Sequence, residues 1–251
     1  MIIMSTTSRV RQNWLKMYAE AENTAKRFPV KSIARYKNPP VEFVLECISK
    51  STPIILMDVM NEWRSATWNF EYLQEKFGDV ILTSSNNRDV LLGEHIQTIL
   101  DGTCRTTGGI KLPQALRDEI DLPTDSDRFK MGSASIFLGT VGGVTPLHRD
   151  AGNGLNAHII GRKAWTLLSP DRSELLYPRF SDAIAGFQVC DVDLTERDFH
   201  HSLLIHEIQP LTVVVKPREV ILVPSGWFHE VKLLEASLSI AFPVFAAPII
   251  N

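Results

Sequence analysis

The chain has 251 residues, 44% hydrophobic and 22% charged, with 14 Gly, 14 Pro and a formal net charge of -3. That composition excludes long disordered, collagen-like and coiled-coil proteins, and the charge argues against a mainly electrostatic nucleic-acid binder. A single β-rich unit of this length can bury enough surface to stand without disulfides. Cys47, Cys104 and Cys190 are odd in number and far apart, with no C-x-x-C spacing. Neither a disulfide framework nor a thiolate metal site is expected, and a reducing compartment fits. Met1–Ser5 is too short an apolar run for a signal-peptide core, and no apolar stretch reaches about 18 residues, so no membrane span is expected. The cytoplasm is the expected location.

Charge is uneven: residues 1–40 hold 8 Lys/Arg against 2 Glu. From Ser8 to Arg27, Val10, Trp14, Met17, Tyr18, Ala21 and Ala25 recur at helical spacing. This predicts an amphipathic helix packed on the main body, with a basic, solvated outer face. Pro39-Pro40 breaks the chain; a short helix over Val41–Ser49 and a buried strand over Pro53–Met57 follow. Asn69 can cap a helix carrying Phe70, Leu73 and Phe77, which ends at Gly78. Val80–Thr83 reads as a strand, Ile96–Leu100 as a short helix, and Pro113–Leu122 as helix and loop. Asp121, Asp125 and Asp127 lack the glycine and terminal glutamate of a calcium loop and read as a solvated loop.

After residue 130 the texture changes. Strand-like runs at 134–139, 145–150, 155–160, 163–168, 212–215, 219–223, 228–233 and 236–242 are punctuated by turn residues, which predicts an antiparallel sandwich or barrel. Gly161-Arg162 sits where a tight hairpin turn belongs. The expected division is a helical region over 1–125 that packs on a β core over 126–251, the two forming one structural unit.

His148-Arg149-Asp150 places an imidazole and a carboxylate on one face of a strand. His229 follows a strand, a sharp turn (Pro224-Ser225-Gly226) and the start of another strand. Two histidines and a carboxylate from facing strands form the ligand set of a non-haem Fe(II) oxygenase, with open positions for small molecules. The competing reading is a surface turn. Lys163 lies beyond the hairpin turn among Ala164, Trp165, Leu167 and Leu168. If it points inward it must pair with an anion, which a dicarboxylate co-substrate would supply; otherwise it snorkels from the strand end. Thr145 and Asn156 are short polar residues able to orient a carboxylate. His158 shares a strand face with Asn156 and reads as structural.

Three stretches together resemble the Jumonji-C (cupin-like) oxygenases: Thr145-Pro-Leu-His148-Arg-Asp150, Gly161-Arg-Lys163-Ala-Trp165 with Ser169-Pro170, and Val220-Ile-Leu-Val-Pro224-Ser-Gly-Trp227-Phe-His229. Upstream, Pro53-Ile-Ile-Leu56, Trp63, Trp68, Tyr72-Leu73 and Phe77-Gly78 are similar to that family's helical preface. The resemblance implies a double-stranded β-helix (jelly-roll) core. It also implies Fe(II) held by His148, Asp150 and His229, with the distal carboxylate of 2-oxoglutarate on Lys163 and Thr145, and O2 as co-substrate. Asn156 matches a position that some branches place against the co-substrate. Gly154 departs from a common asparagine, and Ala241 from a Thr or Asn, with Ser239 on the same face able to compensate. The implied activity is 2-oxoglutarate-dependent oxygenation, hydroxylation by default, of a protein or peptide side chain or an amino-acid-like small molecule. Two alternatives stay open: a cupin metalloenzyme independent of 2-oxoglutarate, and a non-catalytic binding protein of the same fold.

Overall fold

Period-2 alternation lets a strand bury one face between sheets and the other under helices, and the second half of this chain does both. The computed structural model describes residues 6–83, 88–104, 107–120, 129–131, 133–182, 186–190, 192 and 209–246. The first half runs α1 (Thr6–Arg27), β1 (Ala34–Lys37), α2 (Val41–Ser49), β2 (Ile54–Met57), α3 (Phe70–Phe77), β3 (Ile81–Thr83), β4 (Asp89–Leu91), α4 (Leu92–Leu100), β5 (Thr107–Lys111), α5 (Gln114–Arg117) and β6 (Phe129–Met131). The second half runs β7 (Ser135–Gly139), β8 (Val144–Asp150), β9 (Asn153–Ile160), β10 (Lys163–Leu168), α6 (Ser173–Leu176), β11 (Arg179–Phe180), β12 (Phe187–Val189), β13 (Leu211–Val215), β14 (Glu219–Val223), β15 (Phe228–Leu233) and β16 (Ser237–Ala246).

The major sheet has the order β1-β2-β14-β9-β16-β7-β5, with β6 beside β16, and the minor sheet has the order β11-β12-β8-β15-β10-β13. From β7 to β10 and again from β13 to β16, each successive strand lies in the opposite sheet. That alternation makes a jelly roll, a double-stranded β-helix, as the sequence implied. The eight strand runs expected after residue 130 are all present, most within two residues of their predicted bounds.

β14 shows how the layers are built. Val220 and Leu222 join the helix-side core, while Ile221 and Val223 face inward against Trp165, Val215, Trp227 and Val231. On the helix side, α2 buries Val44 and Leu45, α3 buries Leu73 and Phe77, and α4 buries Leu92, Ile96 and Ile99. Each such side chain contributes about 1.5–3 kcal/mol by leaving water. Asn69 caps α3 as expected, its Oδ1 accepting from the Tyr72 amide at 2.8 Å.

Several expectations need correction. α4 begins at Leu92, a full turn before Ile96. Gly93 weakens the helical pattern there, but it allows a close approach: a Cβ on it would come within 3.1 Å of the Gly78 Cα. Gly78 keeps a right-handed backbone (φ -55°), so α3 ends without a left-handed cap. In α1 the buried residues centre on Tyr18, Ala21 and Ala25, leaving Val10 and Met17 39% and 41% exposed. The sequence pattern had placed both on the packed face. The short β1, β4, β5, β6, β11 and β12 had no predictive signal; all four residues of β1 are exposed. The acidic segment 121–128 and residues 1–5 lie outside the described residues. Among the described residues no helix is long and apolar enough to cross a membrane.

Gly161, in the β9–β10 turn, has φ +71°, and a Cβ there would lie 2.3 Å from the Ala236 carbonyl oxygen. Gly161→Ala should therefore lower stability by about 1–3 kcal/mol, since both the backbone and the neighbouring chain resist it. Urea unfolding measures this, and unchanged stability would show that the hairpin relaxes freely.

Candidate metal and anion site

β8 and β15 are antiparallel neighbours in the minor sheet, and His148 lies directly opposite His229. Asp150, two residues along β8, shares that face. The ligand atoms of His148, Asp150 and His229 all lie within 4.8 Å of one another. The His229 Nε2 is 3.8 Å from the Asp150 Oδ2. Each imidazole is oriented from behind by a backbone carbonyl. The His148 Nδ1 is 2.7 Å from the Pro146 oxygen, and the His229 Nδ1 is 3.1 Å from the Trp227 oxygen. A carbonyl only accepts, so each Nδ1 carries the proton and each Nε2 turns a lone pair toward the shared centre. Burial, and the neighbouring His229, hold the His148 pKa well below its ordinary value, which keeps it neutral as a ligand must be. Phe187 stacks on His148 with ring centroids 4.5 Å apart, and Trp165 stacks on His229 at 5.6 Å.

Strict alternation along β8 would send Thr145 to the opposite face from His148. A bulge prevents this: Pro146 and Leu147 together oppose the single Glu230, so the register passes from His229↔His148 to Val231↔Thr145. Thr145 and His148 therefore both line one cavity of about 550 Å³. Proline suits the bulge because it needs no partner for an amide hydrogen.

The same cavity receives Lys163, Asn156 and Ser239. Lys163 is buried, and its Nζ donates to the Ser239 Oγ at 2.6 Å. No carboxylate pairs with it among the described residues. Burial lowers its pKa from the usual lysine value to about 7. The Asn156 Oδ1 is also buried and has no hydrogen-bond partner. An ammonium with donors to spare beside an unpaired amide fits an anionic ligand. Ala241 lies opposite Asn156, and Ser239 faces Lys163 from two residues earlier on β16. His158 does not line this cavity: it is fully buried, and its Nε2 accepts from the Trp165 Nε1 at 3.1 Å. All seven residues singled out in the sequence thus line one cavity, and His158 does not. Phe187 was missed because β12 is three residues long and carries no periodicity. Open space at Gly152 and Gly154, where a Cβ would meet nothing within 4 Å, was equally hidden.

A jelly roll with two imidazoles and a carboxylate converging on one cavity defines a cupin-type protein with a candidate facial ligand set. A model of the cupin-like domain family matches residues 107–245, more than half of the chain, and the chain belongs to that family, of the Jumonji-C type. It is 28% identical over 253 residues to JmjC domain-containing protein D of Dictyostelium discoideum, covering 85% of this chain and 56% of that protein. It is similar to Lysine-specific demethylase JMJ30 of Arabidopsis thaliana (23% identity; 80% and 51% covered). It is also similar to 2-oxoglutarate and iron-dependent oxygenase JMJD4 of Mus musculus (24%; 68% and 48%). The chain spans about half the length of these curated relatives.

The unpaired lysine has a measurable consequence. Unfolded, Lys163 holds its proton up to about pH 10.4; folded and ligand-free, it loses it near 7. The unfolded state binds more protons between those values. The penalty is therefore fully present below pH 7, and wild-type stability recovers by up to about 1.4 kcal/mol per unit as pH rises. Lys163→Met should be more stable than wild type at pH 7, and the gap should narrow at pH 8 and 9. Urea unfolding of both proteins checks this; a constant gap would show that the ammonium is not desolvated.

Proposed function

We propose that this protein is an Fe(II)- and 2-oxoglutarate-dependent oxygenase that hydroxylates a neutral side chain of a protein or peptide, or an amino-acid-like small molecule. The observation that carries this reading is the buried Lys163, without a carboxylate partner, in the cavity onto which His148, Asp150 and His229 converge. A cupin metalloenzyme that uses no keto diacid has no need of such a cation. The relative named as a 2-oxoglutarate and iron-dependent oxygenase supports the same class.

In this reading His148 and His229 offer neutral Nε2 lone pairs, and Asp150 offsets part of the metal's charge. Lys163, Ser239, Thr145 and Asn156 hold the far carboxylate of the co-substrate by charge and hydrogen bonds. Bound there, iron and 2-oxoglutarate supply the dioxygen-dependent oxidation, the keto acid leaving as succinate and carbon dioxide. Phe187 and Trp165 stack on the two imidazoles and would shield that side of the centre from water. Among the described lining residues Asp150 is the only carboxylate, and it is committed to the metal. A cationic methylammonium group would therefore enter without a counter-charge, which favours a neutral substrate group and hydroxylation.

Aerobic incubation with Fe(II), ascorbate and 2-oxoglutarate should yield slow succinate formation even without substrate, and Asp150→Ala should abolish it. Wild-type protein that makes no succinate while binding metal would favour the cupin independent of 2-oxoglutarate. Without oxygen, Lys163→Ala should weaken 2-oxoglutarate binding by about 2–5 kcal/mol, roughly 30-fold to several thousand-fold, with metal binding nearly unchanged. Lys163→Arg should also be impaired, because a planar fork does not replace a compact ammonium.

The wild-type affinity should fall as pH rises above 7. The empty site loses the Lys163 proton near 7, and the carboxylate needs the ammonium. The expected slope is up to about tenfold per pH unit, read by titration from pH 6.5 to 9. Affinity independent of pH and of Lys163 would remove the co-substrate assignment.

A further inference from the structure

Between the two proposed ligands on β8 lies Arg149, whose side chain points to the opposite face and is only 4% exposed. Its surroundings come from three directions. The Nε donates to the Gln188 Oε1 at 2.7 Å, and an Nη donates to the Glu22 Oε1 at 3.0 Å. The guanidinium carbon sits 4.0 Å over the Tyr18 ring and 4.6 Å over the Phe228 ring. Gln188, Arg149 and Phe228 form one cross-strand row. Each is a sequence neighbour of a residue facing the cavity: Phe187 next to Gln188, His148 and Asp150 next to Arg149, and His229 next to Phe228.

Helix α1 holds this row through more than Glu22. The Tyr18 hydroxyl donates to the Gly186 carbonyl at 2.5 Å, with the Arg149 carbonyl 3.3 Å away. One helical turn on, Ala21 abuts the turn before His229: a Cβ on Gly226 would lie 2.7 Å from the Ala21 Cβ. The Gly226 amide in turn donates to the Asp150 carbonyl at 3.0 Å. Two consecutive turns of one helix face, Tyr18 and then Ala21 with Glu22, thus touch the chain around all three proposed ligands.

We infer that α1 is a positioning element of the metal site: Tyr18, Glu22 and Arg149 fix the strands that carry His148, Asp150 and His229, and Glu22 neutralises the cation behind them. The inference rests on the reading of those three residues as metal ligands. Two physical effects follow. Loss of the hydrogen bonds and ring contacts loosens β8 against β12, which blurs the ligand geometry. Loss of the Glu22 charge leaves a buried guanidinium on the far side of a strand from a divalent cation, and like charges in a low-dielectric interior repel. Tyr18, Glu22 and Arg149 are positioning residues, since none reaches the ligand centre.

The test is Mn(II) binding to the whole 251-residue chain, metal-free, followed by electron paramagnetic resonance, with Co(II) absorption reporting ligand geometry and thermal unfolding measured alongside. Glu22→Ala and Glu22→Gln should each weaken Mn(II) binding by about tenfold, because both remove the charge. Tyr18→Phe should shift the Co(II) spectrum and weaken binding by a smaller factor. Ala25→Gly, on the same buried face but away from the row, should lower the melting temperature and leave metal affinity unchanged. Affinities within about twofold of wild type for the Glu22 and Tyr18 variants, with lowered melting temperatures, would show that α1 only packs, and the inference would fail. Wild-type protein that binds no Mn(II), or that binds it equally well as Asp150→Ala, would instead overturn the metal reading itself.

Discussion

His148 and His229 meet because β8 and β15 pair in one register, and a slip of one residue would turn an imidazole out of the barrel. Several contacts converge on that register. The carbonyls of Pro146 and Trp227 receive the two Nδ1 protons, and the Gly226 amide ties the turn before β15 to the Asp150 carbonyl. The bulge opposite Glu230 then lets the chain leave the register without disturbing it, bringing Thr145 to the face of His148. Pairing, turn and bulge are one device: the backbone sets the directions of His148, Asp150, His229 and Thr145.

The polar interior is tolerated because stability is gained elsewhere. The largest apolar cluster lies on the helix side of the major sheet, where α2, α3 and α4 cover residues such as Ile54, Leu222 and Ile240. A domain with its main core outside the barrel can keep a lysine, an unpaired asparagine oxygen and two histidines within it. Those groups are costly without partners, and in the proposed reading an anion and a metal would relieve the cost. Ligand binding and folding stability are coupled through the same side chains.

Much of this was legible in the sequence, for identifiable reasons. Strands β7 to β10 and β13 to β16 alternate or are apolar throughout, and Gly161, Pro224 and Gly226 mark their turns, so periodicity located them. The site residues were legible because His148, Asp150, Lys163 and His229 are unusual residue types within apolar strand patterns. Thr145 was found although its face could not be: alternation alone points it away, and a bulge leaves no mark in residue types. The reach of α1 was hidden for another reason. Arg149 reads as a solvated strand residue until Glu22, 127 positions away, is placed beside it. Val10 and Met17 satisfied a helical period yet face solvent, because a pattern gives the period of a stripe better than its width.

The contacts of α1 also determine when the site can be completed. Tyr18 hydrogen-bonds across 168 residues to Gly186, and Ala21 packs on Gly226 still further along the chain. Contacts of such sequence separation carry the largest loop-closure entropy and form late. During synthesis α1 leaves the ribosome before β12 and the turn preceding β15, the segments that form its docking surface. Assembly of the barrel mouth is therefore a closing event in the biogenesis of this protein. Until then α1 is an amphipathic segment without its docking surface.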